Sequence, residues 1–132
     1  MKQDMELIKL MLQTLADEGC FFMELQPFAT QIQQKTNQRN LYTNEFIGHF
    51  FLAKDSKLIE EMSVCFFVGQ GNSYPAPANG GKVRITAQGL EFLEALKNDN
   101  VFHKIKDFSI GIAADVGKSL LTSFIGKKLG IN

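Results

Sequence analysis

Two histidines, two cysteines and two carboxylate pairs are the side chains in this sequence whose types lend themselves to chemistry. His49 and His103 stand alone, with no second histidine, cysteine or suitably spaced carboxylate beside either, so neither reads as a metal ligand or a general base. His49 falls on an apolar helix face, where a lone histidine reads as a hydrogen-bonded core residue. Cys20 and Cys65 are far apart and outside any CxxC pattern, which argues for two reduced, buried thiols. Glu60 with Glu61, and Glu91 with Glu94, are pairs of the kind used in general acid–base catalysis. Neighbours in sequence or on one helix face are ordinarily solvated, and they are read so here. The stretch "GQGNS" suggests a phosphate loop but lacks the Gly-Lys-Ser/Thr ending and the helix that must follow. No catalytic residue, metal ligand, cofactor or small-molecule substrate is expected, and the chain reads as a non-enzyme.

The elements around these residues follow from periodicity. Met5, Leu7, Ile8, Met11, Leu12 and Leu15 recur at three- and four-residue steps, with Asp4 and Glu6 near the start and Gly19 after, which predicts an amphipathic first helix. "CFFMELQPF", residues 20–28, suits a short strand or extended connector stopping at Pro27. Residues 29–40, polar and glutamine-rich, are open between helix and loop. Thr43 is placed to cap a helix that buries Phe46, His49, Phe50 and Ala53. In 58–68, the alternation of Val64, Phe66 and Val68 predicts a strand toward the end of the run. Residues 69–81 hold four glycines and two prolines and read as a loop. "KVRIT" resumes a strand, and Thr86 caps a helix with Leu90, Leu93 and Leu96 near one face beside Phe92, ending at "NDN". This order is that of an α+β fold with a winged helix-turn-helix core. The expected division is a winged-helix domain over residues 1–97, with 69–81 as the wing loop, and a C-terminal helical extension over 98–132.

Three segments carry a further likeness: "MKQDMELIKLML", "NEFIGHFFLAKDSKLIE" and "RITAQGLEFLEALKNDNVFHKIKD". Together they resemble a family of small bacterial and prophage proteins of unknown function with a winged-helix-like fold. Members typically show a Leu-Thr-x-x-Gly turn, an apolar helix, an Asp-containing break and a Val-aromatic-x-Lys sequence. The corresponding residues here are Ile85, Thr86, Gly89, Asp99, Val101, Phe102 and Lys104. His49 matches a histidine that such proteins often carry in a helix leading into an Ala-Gly-Leu-Ile-like turn. This chain departs there, with Ser56 and Lys57 where Ala and Gly are usual. The resemblance implies the fold and an association with phage or mobile elements, and it implies no activity.

Composition bounds the partners. The 132 residues suit one domain, and 45% hydrophobic content with twelve Phe supplies a core. Fourteen basic groups balance fourteen acidic ones, so net charge gives nucleic-acid binding no support. The stretch 97–132 is the basic part, with 6 basic and 3 acidic groups against 8 and 11 in 1–96. No signal peptide or membrane span is predicted, and a cytoplasmic protein is expected.

Two functions are expected, a leading one and its alternative. The first is a nucleic-acid-binding regulator acting as a dimer on double-stranded DNA, contacting it through Lys35, Arg39, Asn44, Lys54, Lys57, Lys82 and Arg84 around the third helix and wing. The second is a protein-interaction or dimerisation module that does not touch DNA. Its surface is formed by Ile47 and Phe51 on the third helix and by the tail stripe Phe108, Ile112, Val116, Leu120 and Phe124, with a homodimer or another protein as partner.

Overall fold

The structure is a computed structural model that describes residues 2–19, 21–64, 66–67, 76–77 and 81–128. For 66–67, 76–77 and 124–128 it describes the backbone alone. Both cysteines and most of the expected wing loop lie outside the described residues.

Helix α1 (Met5–Asp17) begins where the Asp4 carboxylate accepts the Glu6 N–H at 3.0 Å, an N-cap that satisfies one of the helix's orphan donors. It buries Met5, Ile8, Met11, Leu12 and Leu15 and ends at Gly19, whose φ of 87° is the left-handed conformation a glycine adopts without strain. The aromatic run that follows departs from the expected strand or connector ending at Pro27. Strand β1 is only Met23–Glu24, and α2 (Leu25–Thr36) starts before the proline. Pro27 sits in the first turn, where its missing N–H has no intrahelical partner to lose. The glutamine-rich stretch is helical to Thr36 because Leu25, Phe28, Ala29 and Ile32 form a narrow buried stripe within it.

Helix α3 (Asn44–Asp55) has the expected cap, with the Phe46 N–H donating to Thr43 Oγ1 at 3.1 Å, and the expected buried face of Phe46, His49, Phe50 and Ala53. Its end is a Schellman turn. The Leu58 N–H reaches back to the Ala53 carbonyl and the Lys57 N–H to the Lys54 carbonyl, each at 2.9 Å, with Lys57 at φ 62°.

The next strand comes earlier than the sequence alternation places it. β2 is Ile59–Met62, Val64 is outside any strand, and β3 (Phe66–Phe67) pairs instead with β4 (Ala76–Pro77) in a separate two-stranded ladder. β5 (Lys82–Ile85) is the central strand of a three-stranded antiparallel sheet ordered β1-β5-β2, in which Met23 faces Val83, Ile59 faces Ile85 and Glu60 faces Arg84. Met23, Ile59, Val83 and Ile85 point into the core.

Helix α4 (Ala87–Lys97) is capped as expected by Thr86, whose Oγ1 accepts the Gly89 N–H at 3.0 Å. Phe92, Leu93, Ala95 and Leu96 are its buried face, whereas Leu90, expected there, is 37% exposed. Leu90 lies about 100° around the helix from Gly89, which takes the inward position. The "NDN" break joins two helices: Asn98 ends α4 and accepts the Val101 N–H at 3.1 Å to start α5 (Asp99–Ile105). Helix α6 (Ile110–Lys128) then packs back on α4 and α5. Val101, Ile105, Ile110 and Ala113 belong to the same buried cluster as the helices and sheet before them. The chain is thus α+β, with six helices, one three-stranded antiparallel sheet and a separate two-stranded ladder among the described residues. Among those residues no helix is long and apolar enough to cross a membrane.

Candidate interaction surfaces

The seven polar residues expected at DNA are spread over α2, the α2–α3 loop, α3, the turn after it and β5. All are exposed except Arg84, which is half-buried. Two of the six cations are already in ion pairs. Lys54 Nζ lies 3.1 Å from Glu61 Oε1 and stands over the Phe51 ring; Arg84 pairs with Glu60 across the strands and covers the Phe22 ring. Lys35 turns toward α1 and donates to Thr14 Oγ1 at 3.3 Å. Among the described residues, Arg39, Lys57 and Lys82 make no ion pair. They sit in the α2–α3 loop, at the end of α3 and on β5 respectively, so no single element gathers them.

The outward side of α3 carries Asn44, Glu45, Phe51 and Asp55, with Ile47 half-buried against the core. Phe51 is 42% exposed. A duplex docking here would bring its phosphates against Glu45 and Asp55. In the tail, Phe108 and Ile112 are exposed, and Val116 and Leu120 are half-buried against the domain. The Phe124 side chain lies outside what the structure describes. The small residues fix this orientation: α6 turns Ala113 and Gly117 inward, and a Cβ at Gly117 would come within 2.9 Å of Ile105 Cδ1 and 3.3 Å of Ala95 Cβ. Close helix approach through glycine and alanine therefore rotates the Phe108–Ile112 end of the stripe to the surface.

A third surface brings together residues that no sequence window could show as neighbours. A groove of about 1040 Å³ runs between the start of α1, the end of α2, the α2–α3 loop, the start of α3 and the end of α5. Its floor is apolar, from Leu7, Leu10, Ile32, Leu41, Phe46 and Phe102. Along the rim stand four carboxylates, Asp4, Glu6, Glu45 and Asp107, against two lysines, Lys2 and Lys106. Gln33, Gln38 and Asn40 add carboxamides, each able to donate and accept a hydrogen bond. Burial raises the phenol of neighbouring Tyr42 above its ordinary value, and its ring meets Phe46 edge-on at 6.0 Å.

His49 holds one wall of this groove in place. It is fully buried, and both ring nitrogens are engaged: Nδ1 donates to the Glu45 carbonyl at 2.7 Å and Nε2 accepts the Asp4 N–H at 2.8 Å. This fixes the neutral Nδ1–H tautomer and ties the first residues of α1 to α3. A second tie, from Gln3 Nε2 to the Phe108 carbonyl at 2.6 Å, fastens the same segment to the turn before α6. His49 is the hydrogen-bonded core histidine expected from its helix position. His103 is exposed on α5, and among the described residues no three His, Cys, Asp or Glu side chains come together as a metal site. No family model, curated protein or solved structure matches the chain.

Proposed function

We propose that the chain is a winged-helix protein-interaction module that docks an apolar, cationic peptide segment in the groove beside His49. In this reading α2 and α3 are the helix-turn-helix, and β2 and β5 form the stem of the wing. The antiparallel order β1-β5-β2, with both helices inserted between β1 and β2, supports that assignment.

The observation that carries the function is the lining of the groove. Apolar lining residues accept apolar side chains, carboxamides match the alternating donors and acceptors of a peptide backbone, and four carboxylates against Lys2, Lys106 and the Lys9 ammonium over the Phe102 ring leave an acidic excess that favours cations. Its volume lies at the upper end of the range of small-molecule pockets, about 300 to 1,000 Å³. Protein rather than nucleic acid as the partner is further supported by the pairing of Lys54 and Arg84 and by the acidic groups on α3.

The test is fluorescence anisotropy of the full chain with two probes: a labelled peptide of leucine and lysine at helical spacing, and a labelled generic duplex, each at low and physiological salt. The peptide is expected to bind saturably and to lose several-fold in affinity with Glu45→Lys, while the duplex gives no salt-sensitive binding. Duplex binding that weakens with salt and with Lys57→Glu plus Lys82→Glu, and no response to the peptide, would overturn the proposal in favour of the DNA regulator.

A further inference from the structure

We infer that the occupant of the groove is the C-terminal segment of a second copy of this chain, exchanged between two protomers. The inference rests on the peptide-docking reading and names its partner. Residues 124–132, "FIGKKLGIN", combine Phe, two Ile and Leu with Lys127 and Lys128 and contain no acidic residue. That is the composition an apolar floor with an excess of carboxylates selects.

The path of α6 directs this segment to another protomer. The helix starts beside the groove, where the Phe108 carbonyl accepts from Gln3, and then runs along α4, with Gly117 against Ala95 and Lys118 Nζ 2.9 Å from Glu91. Nineteen helical residues carry the chain about 28 Å from that starting point. The backbone of Lys127 and Lys128, at the far end of that helix, is therefore remote from the groove of its own protomer. Reciprocal exchange of two tails satisfies both grooves around a two-fold axis and closes the assembly, whereas a one-way contact would propagate into a fibre.

Sedimentation velocity of the full chain, over about two decades of concentration, tests this by charge exchange. The wild type is expected to be dimeric. Glu45→Lys with Asp107→Lys on the groove, and Lys127→Glu with Lys128→Glu on the tail, are each expected to weaken the dimer by about tenfold or more. Mixing the two reversed proteins pairs the wild-type tail with the wild-type groove and the reversed tail with the reversed groove, so both contacts are complementary and a heterodimer is expected to return. That recovery requires both variants to be folded, so loss of association through unfolding does not imitate it. Phe51→Glu is expected to leave the dimer intact. A monomeric wild type, insensitivity to the reversals, no recovery on mixing, or disruption by Phe51→Glu overturns the inference. If the wild type is monomeric and the leucine–lysine peptide still binds, the tail is not the occupant and the groove reading survives; if the peptide also fails to bind, both fall.

Discussion

Replacing Gly89 with Ala adds a single methyl group, and the structure gives it nowhere to go. The new Cβ would lie 2.1 Å from the Leu58 carbonyl oxygen and 2.7 Å from Ile85 Cγ1, where ordinary contact begins near 3.4 Å. The carbonyl cannot easily retreat, because it accepts the Thr86 N–H at 3.1 Å, and Thr86 Oγ1 donates to the preceding Lys57 carbonyl at 2.7 Å. Helix α4 must shift by more than an ångström at its first turn. The expected losses are about 1 kcal/mol for the Thr86–Leu58 hydrogen bond, about 1 kcal/mol for the weakened cap and about 1–3 kcal/mol of overpacking, offset by about 1 kcal/mol because Ala favours helix over Gly. A net destabilisation of about 2–4 kcal/mol results, measured as a lower urea midpoint at unchanged m-value. Gly111→Ala is the internal control. Its Cβ meets nothing within 4 Å in α6, so the same substitution is expected to be neutral or to stabilise by up to about 1 kcal/mol. Equal effects at the two sites, or a Gly89→Ala protein as stable as the wild type, would refute the close-approach argument.

Three further substitutions probe separate features. Lys57 holds a left-handed φ of 62°, so Lys57→Gly removes about 1–2 kcal/mol of backbone strain against about 0.5–1 kcal/mol of added unfolded-state entropy. A gain of about 0.5–1 kcal/mol in urea unfolding is expected, and a loss would contradict it. His49→Phe keeps an aromatic ring but strands the Asp4 N–H, which is expected to cost about 1–3 kcal/mol and to loosen the first turn of α1; unchanged amide-exchange protection there would contradict the tie. For Tyr42, burial raises the folded-state value, so the folded state favours the neutral phenol. That contribution is complete below the unfolded value of about 10 and is lost as pH rises through the folded value. Tyr42→Phe is expected to flatten the alkaline fall of the melting temperature relative to wild type, and identical slopes would oppose this.

Local chemistry was legible from the sequence where one segment contains both partners. The Thr43 and Thr86 caps and the buried face of α3 depend on residues within a few positions of each other, and each appears as expected. Lys57 shows the same logic at a turn: it takes the left-handed conformation because the Schellman bonds from Lys57 and Leu58 fix the turn. Features decided by partners distant in sequence were less visible. The polar composition of α2 hid a four-residue stripe that matters only because the core lies beneath it. The face of α6 was set by where Gly117 and Ala113 allow α4 and α5 to approach, not by its largest side chains. The groove was invisible for the same reason, since its lining comes from five stretches of the chain between Lys2 and Asp107.

Chemical-shift mapping on the isotopically labelled full chain, titrated with the leucine–lysine peptide, tests the docking groove most directly. The expected result is saturable shifts concentrated at the backbone amides of Leu7, Gln33, Asn40, Glu45 and Lys106, around the groove. Shifts centred instead on Phe51 and Asp55 of α3, or no saturable shifts, would contradict the groove as the working surface.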